Sequence, residues 1–193
     1  MVKLRLLYAL LCLAITKPFI SATERNLICE DFKQWCSVYK YAITRLGFCK
    51  MFVDLPEFRS VVYYRLRNRF RILPKLCFKP QVACHINAGD ISGGLVLVHG
   101  FSTIIQTERI GRNSMIFQQV SIAYSDGRSP SIGDDVTICC GAKIIGGVKI
   151  GNNVTVAAGA VVVRDVPDNA VVAGNPAKVV ASNVNRLSRF FFE

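Results

Sequence analysis

The chain has few histidines, no paired-cysteine motif and no long uninterrupted apolar run. Its 193 residues include only two histidines, His85 and His99, which cannot supply a zinc site built from three histidines. Its eight cysteines never occur in a C-x-x-C spacing and are too sparse for a small disulfide scaffold. We therefore expect no metal, and we expect most cysteines to act as small hydrophobic residues in a reducing compartment.

Acidic residues are scarce in the first part of the chain. Residues 1–83 hold 15 lysines and arginines against 5 acids, whereas residues 84–193 hold 9 against 8. A basic surface can bind nucleic acid, anionic lipid or a phosphorylated cofactor. Because the sequence has no zinc-finger spacing, helix-turn-helix pattern or RNP-like motif, we expect no nucleic-acid partner.

Residues 1–22 form an apolar, basic segment that is too short to span a membrane. Lys3 and Arg5 precede an apolar run over residues 6–15, and a small-residue end follows at Ser21-Ala22. As a helix this run covers about 15 Å, half the roughly 30 Å of a bilayer core. Two interpretations remain, a cleaved export signal or a retained segment lying on an anionic membrane surface, and the basic front part favours the second.

Residues 23–83 are predicted to be a helical region, with helices between about residues 31 and 76. Pro56 and Glu57 indicate a helix start, because proline is tolerated in the first turn and an acid suits its positive end. Phe58, Val62 and Leu66 then recur every four residues. The arginines mostly fall elsewhere on the helical wheel: Arg59, Arg65, Arg67 and Arg71. The pattern predicts an amphipathic helix with a solvated cationic face, or alternatively a lipid or phosphate site.

A six-residue repeat of aliphatic residues dominates the rest of the chain. Between residues 132 and 163, Ile or Val occupies every sixth position, and a smaller apolar residue follows four positions later. The six aliphatic positions are Ile132, Ile138, Ile144, Ile150, Val156 and Val162. Neither the helical period of 3.6 nor the strand period of 2 gives this spacing.

Each hexad is predicted to supply a short strand, one inward aliphatic side chain and a corner. Ile132-Gly133 and Ile150-Gly151 are each followed by Asp or Asn, residues that suit tight bends. The two pairs are 18 residues apart, or three hexads, so equivalent residues would stack in a triangular coil. Upstream, Ile110 precedes Ile132 by 22 residues, which predicts a small loop, Tyr124 to Pro130, at one corner.

The [Ile/Val]-Gly-x-x-[small] hexads and the sequence VVAGNPAKVV (residues 171–180) resemble the hexapeptide-repeat acyltransferases. The resemblance covers about residues 86–180, includes PEFRSVVYYRLRNRF before them, and is closest to serine acetyltransferases and related polysaccharide O-acetyltransferases. It implies a mostly β fold, a left-handed parallel β-helix over residues 84–180. The small helical region before it is expected, from the N-terminal composition, to be partly membrane-interfacial. Residues 181–193 would form a cap. The resemblance also implies a homotrimer with acetyl-CoA in the groove between adjacent coils.

The resemblance assigns a role to one of the two histidines. Moving an acetyl group from a thioester to a hydroxyl needs a base near neutrality, for which imidazole is suited. His99, in LVLVHGFSTII, stands where the family has its catalytic histidine, so the resemblance implies that it is the general base. A structural role is the alternative for a histidine flanked by apolar residues.

The resemblance is incomplete at the serine-binding residues of the serine acetyltransferases. Those enzymes carry an acid before the catalytic histidine and a second histidine after a loop arginine, where this chain has Val98 and Ser129. The acid that orients their catalytic histidine aligns with His85, which leaves Asp90 as a nearby substitute. These departures favour a sugar or polysaccharide hydroxyl as the acceptor. Serine is the first alternative, and a non-catalytic trimeric scaffold is the second.

The remaining expected site residues fall into an acceptor set and a cofactor set. The acceptor set is Arg128, His85 and Asp90, although Arg128 could equally face the cofactor. The cofactor set is Ala142, Ala160, Asn175, Pro176 and Lys178. The two alanines are small enough to let a pantetheine arm lie close, or are inward filler of the repeat. The lysine either meets a CoA phosphate or is a surface residue after a turn.

The expected cofactor also bears on location. Acetyl-CoA is a cytosolic metabolite, so the protein is expected in the cytoplasm. The N-terminal segment could then hold it on the inner face of the cytoplasmic membrane, where lipid-linked sugar acceptors would be within reach.

Overall fold

The structure, a computed structural model, describes residues 20–66 and 78–182 together with Leu7 and Lys75. The chain divides into two compact units between Val82 and Ala83. Most of the expected N-terminal segment (1–22) and of the expected cap (181–193) lies outside the described residues, as do Arg67 and Arg71. Of the helices that the structure describes, none combines the length and the apolar composition needed to cross a membrane.

In the described part of the first unit there are three helices, α1 (Ala22–Tyr39), α2 (Arg45–Asp54) and α3 (Pro56–Arg65). α3 begins at Pro56, as predicted. α1 begins well before residue 31 because Ser21 and Glu24 form a capping box. The Glu24 N–H donates to Ser21 Oγ at 3.1 Å, and the Ser21 N–H donates to Glu24 Oε2 at 2.8 Å. The pattern S-x-x-E is therefore the sequence signal for this helix start.

Aromatic side chains form the core of the helical unit. Phe58 and Trp35 are fully buried, and their ring centroids lie 5.2 Å apart in an edge-to-face arrangement. Phe48 contacts Phe58 in the same way at 5.2 Å. The Tyr63 hydroxyl is also buried and donates to the Phe78 carbonyl at 2.8 Å. Each aromatic ring thus has either an edge-to-face neighbour or a satisfied polar end.

The prediction of a solvated cationic face on α3 is wrong for two arginines. Arg65 is only 4% exposed, and its Nε and Nη2 donate to Asp31 Oδ2 at 2.8 Å and Oδ1 at 3.0 Å. Arg59 Nη1 donates to the carbonyls of Phe52 and Val53 at the end of α2. A helical wheel records only the angle of a side chain, so it cannot distinguish a solvated arginine from one with an internal partner.

The second unit is the predicted parallel β-helix. Over residues 83–182, which the structure describes, it has 13 strands: β1 (Cys84–Ile91), β2 (Val96–Leu97), β3 (Thr103–Ile110), β4 (Met115–Ile116), β5 (Ser121–Ala123), β6 (Ser131–Ile132), β7 (Thr137–Ile138), β8 (Lys143–Ile145), β9 (Lys149–Ile150), β10 (Thr155–Val156), β11 (Val161–Val162), β12 (Ala170–Ala173) and β13 (Lys178–Ser182). β3 pairs with β5 through Ile105 and with β6 through Ile110, so it covers two faces of the prism. The third face is the sheet β2-β4-β7-β10-β12-β13, in which only β12 and β13 pair antiparallel.

The six-residue repeat forms the interior of the β-helix, as predicted. Ile132 pairs with Ile150, and Ile138 pairs with Val156, in parallel ladders 18 residues apart. All six aliphatic positions from 132 to 162 are at most 3% exposed. Burial of each such side chain contributes about 1.5–3 kcal/mol. The half-buried Ile86, by contrast, lies in the first strand, which has a neighbouring strand on one side only.

Three edges run along the prism where the chain turns between faces. The His99 edge comprises residues 98–102, 117–119, 139–141 and 157–159. The loop edge comprises residues 107–108, 124–130, 146–148 and 164–165. The Asx edge comprises residues 111–113, 133–135, 151–153 and 168–169. The four-residue excess predicted between Ile110 and Ile132 lies in the loop edge, where residues 124–130 extend from the coil.

Side chains stacked along the Asx edge explain why glycine follows the aliphatic position. The Asp134 N–H donates to Asn152 Oδ1 at 2.9 Å, and the Asn152 N–H donates to Asp168 Oδ1 at 2.7 Å. A Cβ at Gly133 would lie 2.7 Å from Asn152 Oδ1 and 2.8 Å from the Gly151 carbonyl oxygen. Glycine therefore leaves the space that this ladder of Asx side chains occupies.

We expect Gly133→Ala to lower the free energy of unfolding by about 2 kcal/mol, because the new methyl must displace backbone and ladder atoms. Chemical denaturation followed by circular dichroism measures the change. Gly159→Asn is the matched control, since asparagine tolerates its φ of +67° and a Cβ there meets nothing within 4 Å. The control should cost no more than about 1 kcal/mol, because asparagine is among the residues that adopt left-handed backbone most readily. Equal losses in the two variants would contradict the packing explanation.

Candidate functional site

His99 lies in a two-residue bulge of the His99 edge. Leu97 pairs with Ile116, and Ile105 pairs with Ile122. The lower coil therefore takes eight residues from one pair to the other, whereas the coil above it takes six. The extra length coincides with left-handed backbone at His99 (φ 58°) and Gly100 (φ 21°). The His99 side chain is exposed. The bulge thus presents the imidazole at the surface of an otherwise regular coil.

The two expected acceptor-side residues of β1 lie on different faces. His85 is opposite Ile104, just after the bulge, whereas Asp90 is opposite Arg109, beyond the corner at residues 107–108. Both side chains are exposed. Within one chain the corner separates Asp90 from His99, so Asp90 does not replace the missing orienting acid there. His85 lies one coil below the His99 edge.

Of the two interpretations of Ala142 and Ala160, the burial of their side chains favours inward filler of the repeat. Both methyl groups are 0% exposed and point into the coil. The positions on the His99 edge that are open to a ligand are the adjacent glycines. A Cβ on Gly159 would meet nothing within 4 Å, and one on Gly141 would come no closer than 3.8 Å to Gly159. An elongated ligand would therefore lie against the Gly141 and Gly159 backbone.

The closing motif lies at the far end of the same edge. Asn175 and Pro176 are exposed and belong to the turn between β12 and β13, with Lys178 at the start of β13. The Val161 N–H donates to the Gly174 carbonyl at 3.0 Å and so fixes the turn on the coil below. From β2, which precedes His99, to β12 there are four strand steps. At the usual strand spacing this is about 19 Å.

Arg128 lies on the loop edge, beside a cavity of about 370 Å³. Ser125 and Arg128 exchange two backbone hydrogen bonds of 3.0 Å, which close the loop. The Pro130 carbonyl accepts the Glu108 N–H at 2.9 Å and attaches the loop to the coil below. Arg128 and His99 are therefore on different edges of the same chain.

The cavity contains charges of both signs. Arg128 and Arg164 line it, together with Asp126 and Asp165. Neither guanidinium is paired with an acid among the residues that the structure describes. Asp165 Oδ1 accepts the Lys149 N–H at 2.8 Å, and Asp126 Oδ2 accepts the Ser125 hydroxyl at 3.2 Å. The cavity can thus offer guanidinium donors and carboxylate acceptors to one ligand.

Two residues of these edges are not predicted from the sequence. Arg164 follows the last regular hexad, and only the stacking of coils brings it to the same cavity as Arg128. Gln118 carries the only buried side-chain oxygen or nitrogen without a hydrogen-bond partner in the described part of the chain. A sequence signal for it exists, because Gln118-Gln119 stands where the coils above have small residues at their corners.

The described cysteines are free thiols, and three of them, Cys36, Cys49 and Cys139, are buried. Cys139 is 5% exposed, and burial raises the pKa of its thiol to about 11, with a smaller contribution from Cys140. Cys36 and Cys49 are buried in the helical unit, where burial also raises the pKa of each thiol. In the described residues, no group of three or more His, Cys, Asp or Glu side chains is arranged to hold a metal ion.

Comparisons with known proteins agree with this architecture. The family described as "Bacterial transferase hexapeptide (six repeats)" matches residues 129–164. The serine acetyltransferase of Bacillus pumilus is 36% identical over 107 residues, which are 53% of this chain and 49% of the relative. That of Synechococcus elongatus is 31% identical over 139 residues, 65% of this chain and 57% of the relative. The chain spans about half the length of these curated relatives.

A solved structure extends the likeness beyond the repeats. The serine acetyltransferase of Neisseria gonorrhoeae in complex with serine has a TM-score of 0.62 at 26% identity, covering 83% of this chain and 70% of that chain. The predicted resemblance is confirmed: residues 129–164 match the hexapeptide transferase family, and the three relatives to which the chain is similar are serine acetyltransferases.

Proposed function

We propose that the chain is an acetyl-CoA-dependent O-acetyltransferase with His99 as the general base. The observation that carries the proposal is the layout of the His99 edge. One exposed imidazole stands at one end, a strip open at Gly141 and Gly159 follows, and an exposed lysine, Lys178, lies at the other end. This layout suits an elongated thioester whose acyl end must meet a base and whose other end carries phosphates.

In the proposed reaction, a His99 ring nitrogen takes the proton of the acceptor hydroxyl as its oxygen attacks the acetyl carbonyl. The new C–O bond forms, the C–S bond breaks, and the proton can pass to the departing thiolate. Backbone N–H groups that point at the developing oxyanion would stabilise the transition state. The exposure of His99 allows the acceptor to reach the imidazole without displacing core side chains.

For the acceptor, the comparisons favour serine over the sugar hydroxyl that the sequence departures favour. The cavity on the loop edge supports serine, since Arg128 and Arg164 match a carboxylate and the two aspartates match an ammonium group. A carbohydrate hydroxyl stays the second candidate acceptor, because Val98 and Ser129 stand where serine acetyltransferases have an acid and a histidine. Both candidates use the same base and donor.

The active unit is proposed to be a homotrimer in the cytoplasm. Arg128 and His99 lie on different edges of one chain, so a site that used both would combine two chains. The resemblance implies three chains arranged with grooves between their coils. The cytosolic donor favours the cytoplasm, and a membrane-surface position of residues 1–22 stays a prediction from sequence.

The proposal is tested by incubating purified protein with acetyl-CoA and one acceptor at a time, and measuring release of free CoA thiol. We expect release that depends on L-serine, and weaker or no release with simple sugars. Release with a sugar alone would favour the second candidate. Absence of release with every acceptor, together with no rise in melting temperature at millimolar CoA, would contradict the enzyme and favour a scaffold.

A further inference from the structure

A histidine that acts as general base needs one ring nitrogen held in a hydrogen bond so that the other is free to accept a proton. The His99 imidazole has no such partner among the described residues. The residue before it, Val98, is apolar and 6% exposed, and Asp90 lies beyond a corner. Within one chain, a group that orients the imidazole would therefore come from another part of the edge.

Gln118 lies in the coil directly above the His99 bulge. The Gln119 N–H donates to the Phe101 carbonyl at 3.0 Å, which places Gln118 over the residues that follow His99. Adjacent coils are separated by about 4.8 Å, a distance that a glutamine side chain readily spans. The Gln118 backbone carbonyl accepts the Gly141 N–H at 3.1 Å, whereas the side-chain Oε1 has no hydrogen-bond partner among the described residues.

The Gln118 side chain has an unused acceptor. Its Oε1 is buried and has no hydrogen-bond partner in the described part of the chain. Leaving a buried carbonyl-type oxygen unpaired is unfavourable, so this oxygen calls for a partner in the working enzyme. The titratable side chains in register near this part of the edge are Cys84, His85, Cys140 and Lys143. None of these four is a carboxylate that could take the place of the glutamine.

We propose that Gln118 is the positioning residue for His99. Its Oε1 accepts the N–H of one imidazole nitrogen, which fixes the tautomer and leaves the other nitrogen to take the proton of the acceptor hydroxyl. The hydrogen bond closes when ligands are bound, since catalytic hydrogen bonds are often loose in the free enzyme. The inference rests on the proposed function of His99 and adds the residue through which its imidazole is held.

The kinetic test compares Gln118→Met, which keeps the length and removes the acceptor, with Gln118→Glu, which keeps an acceptor oxygen. We expect Gln118→Met to lower kcat about tenfold, the worth of one good hydrogen bond, with the KM of donor and acceptor unchanged. Gln118→Glu should retain most of kcat. Gln119→Gly, which removes the neighbouring carboxamide, is the matched control and should behave as wild type. Equal kcat in wild type and Gln118→Met would overturn the proposal, as would equal losses in Met and Glu variants.

A second readout does not depend on turnover. In a His85→Gln background only one histidine remains, and its imidazole ¹⁵N chemical shifts report which nitrogen carries the proton. With CoA bound, we expect one dominant tautomer when residue 118 is Gln or Glu, and a mixture when it is Met. An unchanged tautomer in Gln118→Met would overturn the proposal. Absence of acetyl transfer by wild-type protein would instead refute the proposed function, and the spectra would still decide the role of Gln118.

Discussion

Replacement of His99 with asparagine is expected to lower kcat for acetyl transfer at least about 100-fold, the lower range of general-base contributions. Asparagine tolerates the left-handed backbone of His99, φ 58°, and the exposed side chain contributes little to the core. The variant should therefore keep its fold and its affinity for CoA. Thiol release measures the rate, circular dichroism the fold, and calorimetry the CoA affinity.

A control for His99→Asn is available on a neighbouring strand. Asn87 is exposed in β1, two residues after His85, and lies in neither expected set of site residues. Asn87→Ala should leave kcat within about twofold of wild type, as surface substitutions away from special features are nearly neutral. If His99→Asn kept more than a tenth of the wild-type kcat, the histidine would be structural and the assignment of the base would fail.

Asp31→Ala is expected to destabilise the helical unit by about 3–5 kcal/mol, because it leaves the Arg65 guanidinium charged and buried without its carboxylate. The pair is among the least exposed in the unit, with side chains 1% and 3% exposed. Denaturant unfolding followed by fluorescence measures this unit selectively, since Trp35 is the only tryptophan of the chain and is fully buried there.

Two further variants separate the loss of the ion pair from a general effect of substitution in α1. Glu30→Ala removes the neighbouring exposed acid and should change the free energy of unfolding by less than about 0.5 kcal/mol. The double variant Asp31→Leu/Arg65→Met removes both charges and should recover most of the lost stability. A double variant as unstable as Asp31→Ala would show that packing, and not the stranded charge, sets the cost.

The β-helix can be predicted from the sequence because its determinants are local and repeated. The hexads carry the same pattern, an aliphatic side chain followed by a bend. Because the pattern is repeated many times, an irregular hexad does not hide it. The surplus of four residues before Ile132 is enough to predict the loop at residues 124–130. The two extra residues at His99-Gly100 do not stand out as a bulge in the sequence, because the hexads upstream of Ile110 are irregular.

The site residues are less predictable because their neighbours come from distant positions. Arg164 shares a cavity with Arg128 from 36 residues away, and the partner of Arg65 lies 34 residues before it. Such contacts depend on which coils or helices stack, and no local pattern records them. The small size of Ala142 and Ala160 is plain from the sequence, but size alone does not tell whether a methyl group points inward or outward.

The last strand has a consequence for self-association. β13 runs antiparallel along β12, with a register shift between Val171 and Val172. β13 therefore occupies the backbone groups of β12 that would otherwise pair with one more parallel strand. Because the register is irregular, the outer edge of β13 is poorly suited to pair with a further strand. Within the described residues the ladder thus finishes on a strand of reversed direction, which protects this face of the prism against fibre-like, end-to-end growth.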